Sequence, residues 1–399
     1  MIKYLILGAG PAGLSLANRL LEKGESSFLV VEKEAQAGGL CRSELVDGAP
    51  LDTGGGHFLD VRRPQVNEFL FRFMGADEWN PFERDSRISL SHAELGYPFE
   101  AHIWQLPQEQ QVAYLKSIAI AGCNLGQPKP EAFTDWIVWK LGEKIAGDYM
   151  IPYNRKMFGE NLNQLGTYWL EKLPNVSFDD TLLSCLNKQA YGSLPGHARF
   201  YYPKKYGYGE LWLRMAQNLG ERITLGNAVR EMDLSEPGVL LADGTKLSAQ
   251  TIITTIPWTS VKVRGLPADI ESRLPQLKHT SVNITYKAET MDTGAHWIYY
   301  PDLSIDYHRI LVRSNFCTGS KGYWTETNSA RYRPDGSPSY RNEYAYPLNT
   351  IGKPQLMQEL LSRAGKNQVL GLGRWGEWEH FNSDAVVQRA LELADRLTA

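Results

Sequence analysis

The chain opens with the stretch YLILGAGPAG at residues 4–13, in which four apolar residues run directly into a glycine-rich turn. The four apolar residues predict a buried parallel strand, and residues 14–23 predict a helix. In such a unit, Gly8 permits a tight turn, Gly10 lets the backbone approach a pyrophosphate, and Gly13 allows helix and strand to pack closely. The phosphates would lie at the N-terminus of the helix, which favours anions.

A second apolar strand is predicted at residues 28–31 and ends at Glu32. An acidic side chain about 20 residues beyond the glycines can accept hydrogen bonds from the ribose hydroxyls of a dinucleotide. The two strands, the turn and the acidic residue together predict a Rossmann-type dinucleotide-binding fold, against the alternative of a chance glycine turn.

Two further glycine-rich stretches follow, AGGLCRS at residues 37–43 and LDTGGGHF at residues 51–58. They resemble the second signature of the FAD-dependent amine oxidase superfamily, in which a Gly-Gly loop and the following arginine hold the pyrophosphate. The resemblance favours FAD over NAD. Glycines at 54–56 would let the backbone lie against the isoalloxazine ring, where a side chain would collide; an ordinary turn is the alternative.

Composition limits the remaining possibilities. A length of 399 residues predicts two or three packed units, and a formal charge of −3 with a pI near 6.3 provides no basic field for nucleic acid. Four cysteines without CxxC pairing indicate reduced thiols in a cytoplasm and no metal site. No apolar run reaches the ~20 residues of a membrane span, so we expect a soluble protein with no membrane partner.

The predicted fold class is α/β: a Rossmann-type FAD-binding domain with a helical insertion domain and an antiparallel-sheet substrate domain. The FAD-binding domain is expected in three parts. The expected boundaries are 1–85 for its first part, 86–190 for the helical domain, 191–215 for a link, 216–265 for the second FAD-binding part, 266–350 for the antiparallel sheet and 351–399 for the third part.

Motifs along most of the chain resemble those of UDP-galactopyranose mutases, more the eukaryotic branch than the bacterial one. The resemblance rests on their order and spacing rather than on any one of them. They are GGH at 55–57, YPF at 97–99, PYNRK at 152–156, YP at 202–203, WIYYP at 297–301, YHR at 307–309, YAYP at 344–347 and GRWGEW at 373–378.

The resemblance implies a nucleotide-sugar mutase in which reduced FAD attacks the anomeric carbon and the sugar recloses with another ring size. No net electrons move, so NAD(P)H would serve only to reduce the flavin. The residues assigned to the cofactor are Gly8, Gly10, Pro11, Ala12, Gly13, Glu32, Lys33, Gly38, Gly39, Leu40, Arg42, Gly55, Gly56, His57, Val229, Gly373 and Arg374. Those assigned to catalysis are His57, Arg309, Lys172 and Arg374.

The resemblance also assigns a nucleotide-sugar site, with Arg309 and Lys172 on the diphosphate. Two cations suit a leaving group that gains charge. The residues of this site are Phe99, Glu100, Met150, Tyr153, Asn154, Phe158, Lys172, Tyr299, Arg309, Tyr346, His380 and Asn382.

The chain departs from the family at two places: Glu100 stands where the family has glutamine on the uracil, and residues 380–382 replace a tyrosine-containing stretch near the diphosphate. These departures leave the nucleobase and the sugar open. The rival interpretations are an oxidase or desaturase of the same superfamily and a binding protein that has lost the chemistry. For Arg309, the alternative is a structural ion pair with a carboxylate such as Asp306.

Overall fold

The predicted first strand lies within β1 (Ile2–Leu7), in the interior of a sheet. The computed structural model describes residues 2–91, 93–170, 176–192 and 198–399. Side chains of β1 alternate between two cores: Ile6 packs with the cluster that contains Leu14, and Leu5 packs with the cluster that contains Leu360. Residues 4–7 of the strand are apolar because both faces of this sheet are covered there.

The first sheet joins segments that are far apart in the sequence. Its order is β10 (Ile223–Thr224), β2 (Phe28–Val31), β1, β13 (Lys246–Thr254), β12 (Gly238–Leu241), β11 (Val229–Asp233) and β14 (Lys262–Arg264), with β20 (Val369–Gly371) parallel to β13. Strands β2, β1 and β13 run parallel, and a hairpin with its turn at residues 243–244 joins β12 to β13. Helix α1 (Pro11–Glu22) follows β1 and packs on α12 (Ser383–Leu397).

The second sheet is antiparallel except for one pair of strands. Its order is β19 (Ser339–Pro347), β15 (His279–Lys287), β18 (Tyr323–Asn328), β17 (Arg309–Leu311), β16 (Trp297–Tyr299), β7 (Ser86–Ser89) and β8 (Glu94–Gly96). Strands β16 and β7 are parallel. The register of β17 and β18 places Arg309 directly opposite Glu326.

The remaining described elements are two small sheets and the other helices. Two small sheets consist of β3 (Ser43–Val46) with β4 (Ala49–Asp52), and of β5 (Leu59–Asp60), β9 (Arg199–Pro203) and β6 (Trp79–Glu83). The other helices are α2 (Pro64–Leu70), α3 (Phe99–His102), α4 (Gln108–Ala119), α5 (Phe133–Ile145), α6 (Ile151–Phe158), α7 (Phe178–Asn187), α8 (Gly209–Gln217), α9 (Ala268–Glu271), α10 (Lys353–Lys366) and α11 (Gly373–Gly376). A π-helical turn, Ala146–Met150, connects α5 to α6.

The predicted α/β fold class is confirmed, but one predicted boundary is wrong. Residues 86–96, which we expected in the helical domain, form β7 and β8 at the edge of the antiparallel sheet. The sequence hides this because the two strands are short and β7 pairs with β16, about two hundred residues later in the chain, while β8 pairs with β7. The expected link at 191–215 contains β9, which pairs with β5 and β6 of the first FAD-binding part.

Within the described residues, no helix combines the length and the apolar character that a bilayer crossing requires.

Candidate functional site

The glycine turn lies at the carboxyl end of β1 and has the geometry that the sequence predicted. Gly8 has a φ of +101°, and a Cβ built on Gly13 would lie 2.0 Å from the carbonyl oxygen of Gly8. A Cβ on Gly10 would meet nothing closer than the Cα of Gly39, at 3.8 Å. Gly13 is therefore required by packing, whereas Gly10 keeps open the space before the N-terminus of α1.

A cavity of about 410 Å³ lies against this turn. Helix α1 begins after Gly10 without a side-chain cap, so backbone N–H groups of its first turn stay available to an anion. At the end of β2, the buried carboxylate of Glu32 accepts hydrogen bonds from the N–H groups of Ala9 (2.7 Å) and Glu34 (3.0 Å). Each carboxylate oxygen keeps a lone pair for a ligand hydroxyl. The cavity thus fits the phosphates and ribose of a dinucleotide.

Most of the predicted cofactor residues line this cavity. They are Gly8, Gly10, Pro11, Ala12, Glu32, Lys33, Gly39, Leu40, Arg42, His57, Val229 and Arg374. Gly13, Gly38 and Gly373 do not line it. A Cβ on Gly373 would lie 2.8 Å from the Cβ of Ala12, so this glycine serves close packing beneath the turn.

Protein packing adds a reason for glycine in the run at 54–56. A Cβ on Gly54 would lie 1.8 Å from the carbonyl oxygen of Leu40, and one on Gly56 would lie 2.0 Å from Cδ2 of Leu311. The Leu40 backbone therefore requires glycine at position 54, whereas a side chain at position 56 would have to displace the end of the Leu311 side chain. Gly55 and Gly56 line the second cavity instead of the first.

The second cavity, of about 220 Å³, meets the first one. Leu40, His57, Arg374 and Ser383 line both. The Nδ1 atom of His57 lies 3.0 Å from the carbonyl oxygen of Gly55, and burial, with Arg374 nearby, lowers the pKa of His57 to about 4. The imidazole is therefore neutral at pH 7.

Arg374 carries a positive charge at this junction. Its guanidinium donates hydrogen bonds to the carbonyl oxygens of Phe381 (2.8 and 3.1 Å) and Ala345 (2.9 Å), and no carboxylate of the described residues pairs with it. Burial lowers the pKa of Arg374 below its usual value, yet an arginine stays protonated in proteins. A charge held only by carbonyl dipoles attracts an anionic ligand.

Arg309 lines the second cavity as a member of an ion pair. Its Nε donates to Oε2 of Glu326 at 2.9 Å, its Nη2 contacts the same oxygen, and Nη2 also donates to the hydroxyl of Tyr346 at 3.2 Å. The other oxygen of Glu326 accepts the N–H of Gly56 at 3.2 Å. Burial alone would raise the pKa of Glu326, but Arg309 lowers it to about 2.

The alternative interpretation of Arg309 is thus right about the ion pair and wrong about the partner. Asp306 lies 3.8 Å from Arg333 instead, and Glu326 was not among our candidates. The sequence alone does not reveal this partner because the pair depends on the register between β17 and β18.

Arg84 is a cavity residue that our sequence interpretation missed. Its Nε donates to Oγ of Ser86 and its Nη2 to the hydroxyl of Tyr299, both at 2.6 Å, and the guanidinium lies 4.5 Å from the ring centre of Trp297. No carboxylate of the described residues lies within ion-pair distance of it. In the sequence Arg84 stands between Glu83 and Asp85, and such a run of charged residues is typical of an exposed surface.

Part of the predicted nucleotide-sugar site borders the second cavity. Arg309, Tyr346, His380 and Asn382 line it. Lys172 lies outside the described residues. Phe99, Glu100, Met150, Tyr153, Asn154, Phe158 and Tyr299 line neither cavity.

These seven residues lie in or beside a buried aromatic cluster. Phe99 contacts Tyr114 and Tyr149, with ring centroids 5.0 and 5.8 Å apart. The side chain of Asn154 donates to the carbonyl of Met150 in its own helix. Their assignment to the nucleobase stays a prediction.

The α/β fold and the glycine-lined cavity are typical of proteins that bind a dinucleotide. Residues 11–286, more than half of the chain, match the family model described as flavin containing amine oxidoreductase. The chain belongs to this family of flavin enzymes.

Solved structures share the fold over the whole chain. A reduced UDP-galactopyranose mutase is 22% identical, with a TM-score of 0.89 over 100% of this chain and 95% of the other. A cyclohexylamine oxidase from Brevibacterium oxydans IH-35A is 16% identical, with a TM-score of 0.66 over 100% of both chains.

Among curated proteins, a Baeyer-Villiger monooxygenase of Pseudomonas aeruginosa is 24% identical over 134 residues. The match covers 30% of this chain and spans about a quarter (24%) of the monooxygenase. At these identities the similarities show the fold and do not identify the substrate.

Proposed function

We propose that the chain is a nucleotide-sugar mutase that holds FAD in the first cavity and a UDP-galactose-like substrate in the second, interconverting pyranose and furanose forms. Reduced FAD, when bound, supplies a nucleophilic N5 for the anomeric carbon. We also propose that the chain is closer to the eukaryotic than to the bacterial mutases and that NAD(P)H reduces its flavin. Four unpaired cysteines support a cytoplasmic location.

The balance of charge in the second cavity carries this proposal. Each lining carboxylate has its own arginine: Glu326 pairs with Arg309, Asp60 with Arg62, and Asp384 with Arg63. Arg84 and Arg374 remain without a carboxylate among the described residues. The net charge facing a ligand is therefore positive, which favours a diphosphate as substrate and leaving group.

The second candidate is an amine oxidase, favoured by the family and by the aromatic wall. Phe58, Phe200 and Trp297 line the second cavity and contact one another, with ring centroids 4.5 to 5.3 Å apart. An alkylamine is a cation at neutral pH, and Arg84 and Arg374 would repel it. The charge of the cavity thus opposes an amine substrate.

The test is a turnover assay with the dithionite-reduced holoprotein. The substrates are UDP-galactose, GDP-sugars and dTDP-sugars, and the products are separated by chromatography. We expect pyranose–furanose conversion by the reduced protein, none by the oxidised protein, and no stoichiometric use of reductant. Reductant consumed one-to-one with product, or hydrogen peroxide formed from amines, would favour the oxidoreductase instead.

A further inference from the structure

Behind Arg309 lies a buried titratable group that neither cavity reaches, His308. It exposes none of its surface (0%), and neither ring nitrogen has a hydrogen-bond partner among the described residues. Its Nε2 lies 3.7 Å from Oε2 of Glu326, the oxygen that Arg309 contacts. Buried polar atoms without partners are uncommon and costly, so His308 calls for an explanation.

The groups around His308 define its charge state. Glu326 comes from β18, and Arg309 is the next residue in the chain. Helix α6 contributes the ring of Tyr153, 6.0 Å away between centroids, and the amino group of Lys156. Lys156 donates to backbone carbonyls rather than to an acid. Burial lowers the pKa of His308, against the opposing effect of Glu326. Without ligand, the partners closest to the Glu326 carboxylate are therefore the Arg309 cation and a neutral imidazole, whereas Lys156, whose pKa burial lowers to about 7, stays on its backbone carbonyls.

We propose that binding of a diphosphate to Arg309 makes His308 take up a proton, so that Glu326 exchanges its partner from Arg309 to His308. The inference rests on the proposed function, because a nucleotide diphosphate is the anion invoked. The proton comes from the acid form of the buffer: its bond to that donor breaks, the donor keeps the electron pair, and an N–H bond forms on the imidazole.

The physical reason is the count of charges in a site shielded from water. A phosphate at Arg309 competes with Glu326 for the same guanidinium, and a buried carboxylate that loses its cation is costly where the dielectric is low. A protonated His308, already 3.7 Å from Glu326, gives that carboxylate a cation again. His308 thus acts as a positioning residue that frees the Arg309 guanidinium for the ligand.

This coupling predicts the direction of the pH dependence. Ligand binding raises the pKa of His308, so affinity increases as the pH falls through the window between its unbound and bound pKa values. Within that window the dissociation constant changes by about tenfold per pH unit. Outside it, affinity is independent of His308.

Calorimetry in buffers of different ionisation enthalpy measures the proton directly. The oxidised FAD holoprotein is titrated with UDP-galactose, whose diphosphate diester does not ionise near neutrality. We expect uptake of about one proton per ligand by the wild type. His308→Phe, which keeps an aromatic ring against Tyr153, should bind with no uptake and with a flat pH profile. Glu326→Gln removes the charge that needs compensation and should also abolish the uptake. His102→Gln is the matched control and should keep it.

Each contrary result has a distinct meaning. Binding by the wild type without proton uptake overturns the coupling and leaves the proposed function standing. No binding of UDP-galactose overturns both. Uptake that persists in His308→Phe but disappears in His57→Gln assigns the proton to His57 and overturns the role of His308. If His308→Phe does not fold, His308→Gln and Glu326→Gln carry the same test.

Discussion

At the scale of the residue, Arg309 is both a member of an ion pair and a candidate diphosphate ligand. We expect Arg309→Ala to weaken nucleotide-sugar binding by about 2 to 3 kcal/mol, since it removes a charge-assisted contact. Arg309→Lys should recover only part of the loss, because an ammonium lacks the planar two-point fork. Titration with UDP, GDP and dTDP, followed by flavin fluorescence, measures both effects, and the FAD content should not change.

The control for this prediction concerns Glu326. At a pH where His308 stays neutral, Arg309→Ala leaves that carboxylate buried without a cation, which costs about 3 to 5 kcal/mol of stability. The double variant Arg309→Ala/Glu326→Gln removes the stranded charge, so it should regain stability but not affinity. Equal nucleotide affinity in wild type and Arg309→Ala would leave Arg309 a structural residue.

The acid branch of the stability curve provides a second prediction at this scale. The pKa of Glu326 is about 2 in the fold and about 4.3 in an unfolded chain. A lowered folded pKa contributes stability that is present above the unfolded value and is lost as the pH falls towards the folded one. We therefore expect Glu326→Gln to lose less stability than the wild type between pH 5 and pH 2.5, measured by urea unfolding. The exposed Glu109→Gln should behave as the wild type, and an unchanged slope in Glu326→Gln would contradict the ion pair.

At the scale of the element, the strand–turn–helix unit separates two roles of glycine. Gly13→Ala should destabilise the whole protein, because its Cβ would meet the Gly8 carbonyl oxygen at 2.0 Å. Gly10→Val should leave the melting temperature of the apoprotein nearly unchanged, yet abolish flavin retention, since its side chain enters the phosphate space. Thermal melting and flavin absorbance distinguish the two. Flavin retained at full occupancy by Gly10→Val would contradict the placement of the pyrophosphate.

The register between strands also determines which side chains meet at the candidate site. Pairing of β17 with β18 brings Arg309 to Glu326, and pairing of β16 with β7 brings residues 86–89 into the antiparallel sheet. Strand β7 has four residues, too few for an alternating pattern to reveal its partner. The sequence motifs locate the residues near the cavity, and the register decides what each of them contacts.

At the scale of the whole molecule, the first cavity is built from distant parts of the chain. Its walls come from residues 8–12, 31–42, 57, 228–229, 255–261, 341–344 and 374–386. A ligand that bridges these parts stabilises the folded state by mass action. We expect purified protein to be yellow with about one FAD per chain, and removal of the flavin to lower the melting temperature. A colourless protein that takes up no FAD would contradict the assignment.

The sequence by itself determined the strand–turn–helix unit and the place of Glu32, since these act locally and their spacing is sufficient. It also located most of the residues that line the first cavity, because these follow the glycine motifs closely along the chain. Only the tertiary structure decided that Glu326 neutralises Arg309, that Arg84 faces the second cavity and that Gly54 and Gly56 pack against Leu40 and Leu311. The physical reason is that charge balance and close packing depend on neighbours brought together by folding, and a side chain's type does not reveal which neighbour it will have.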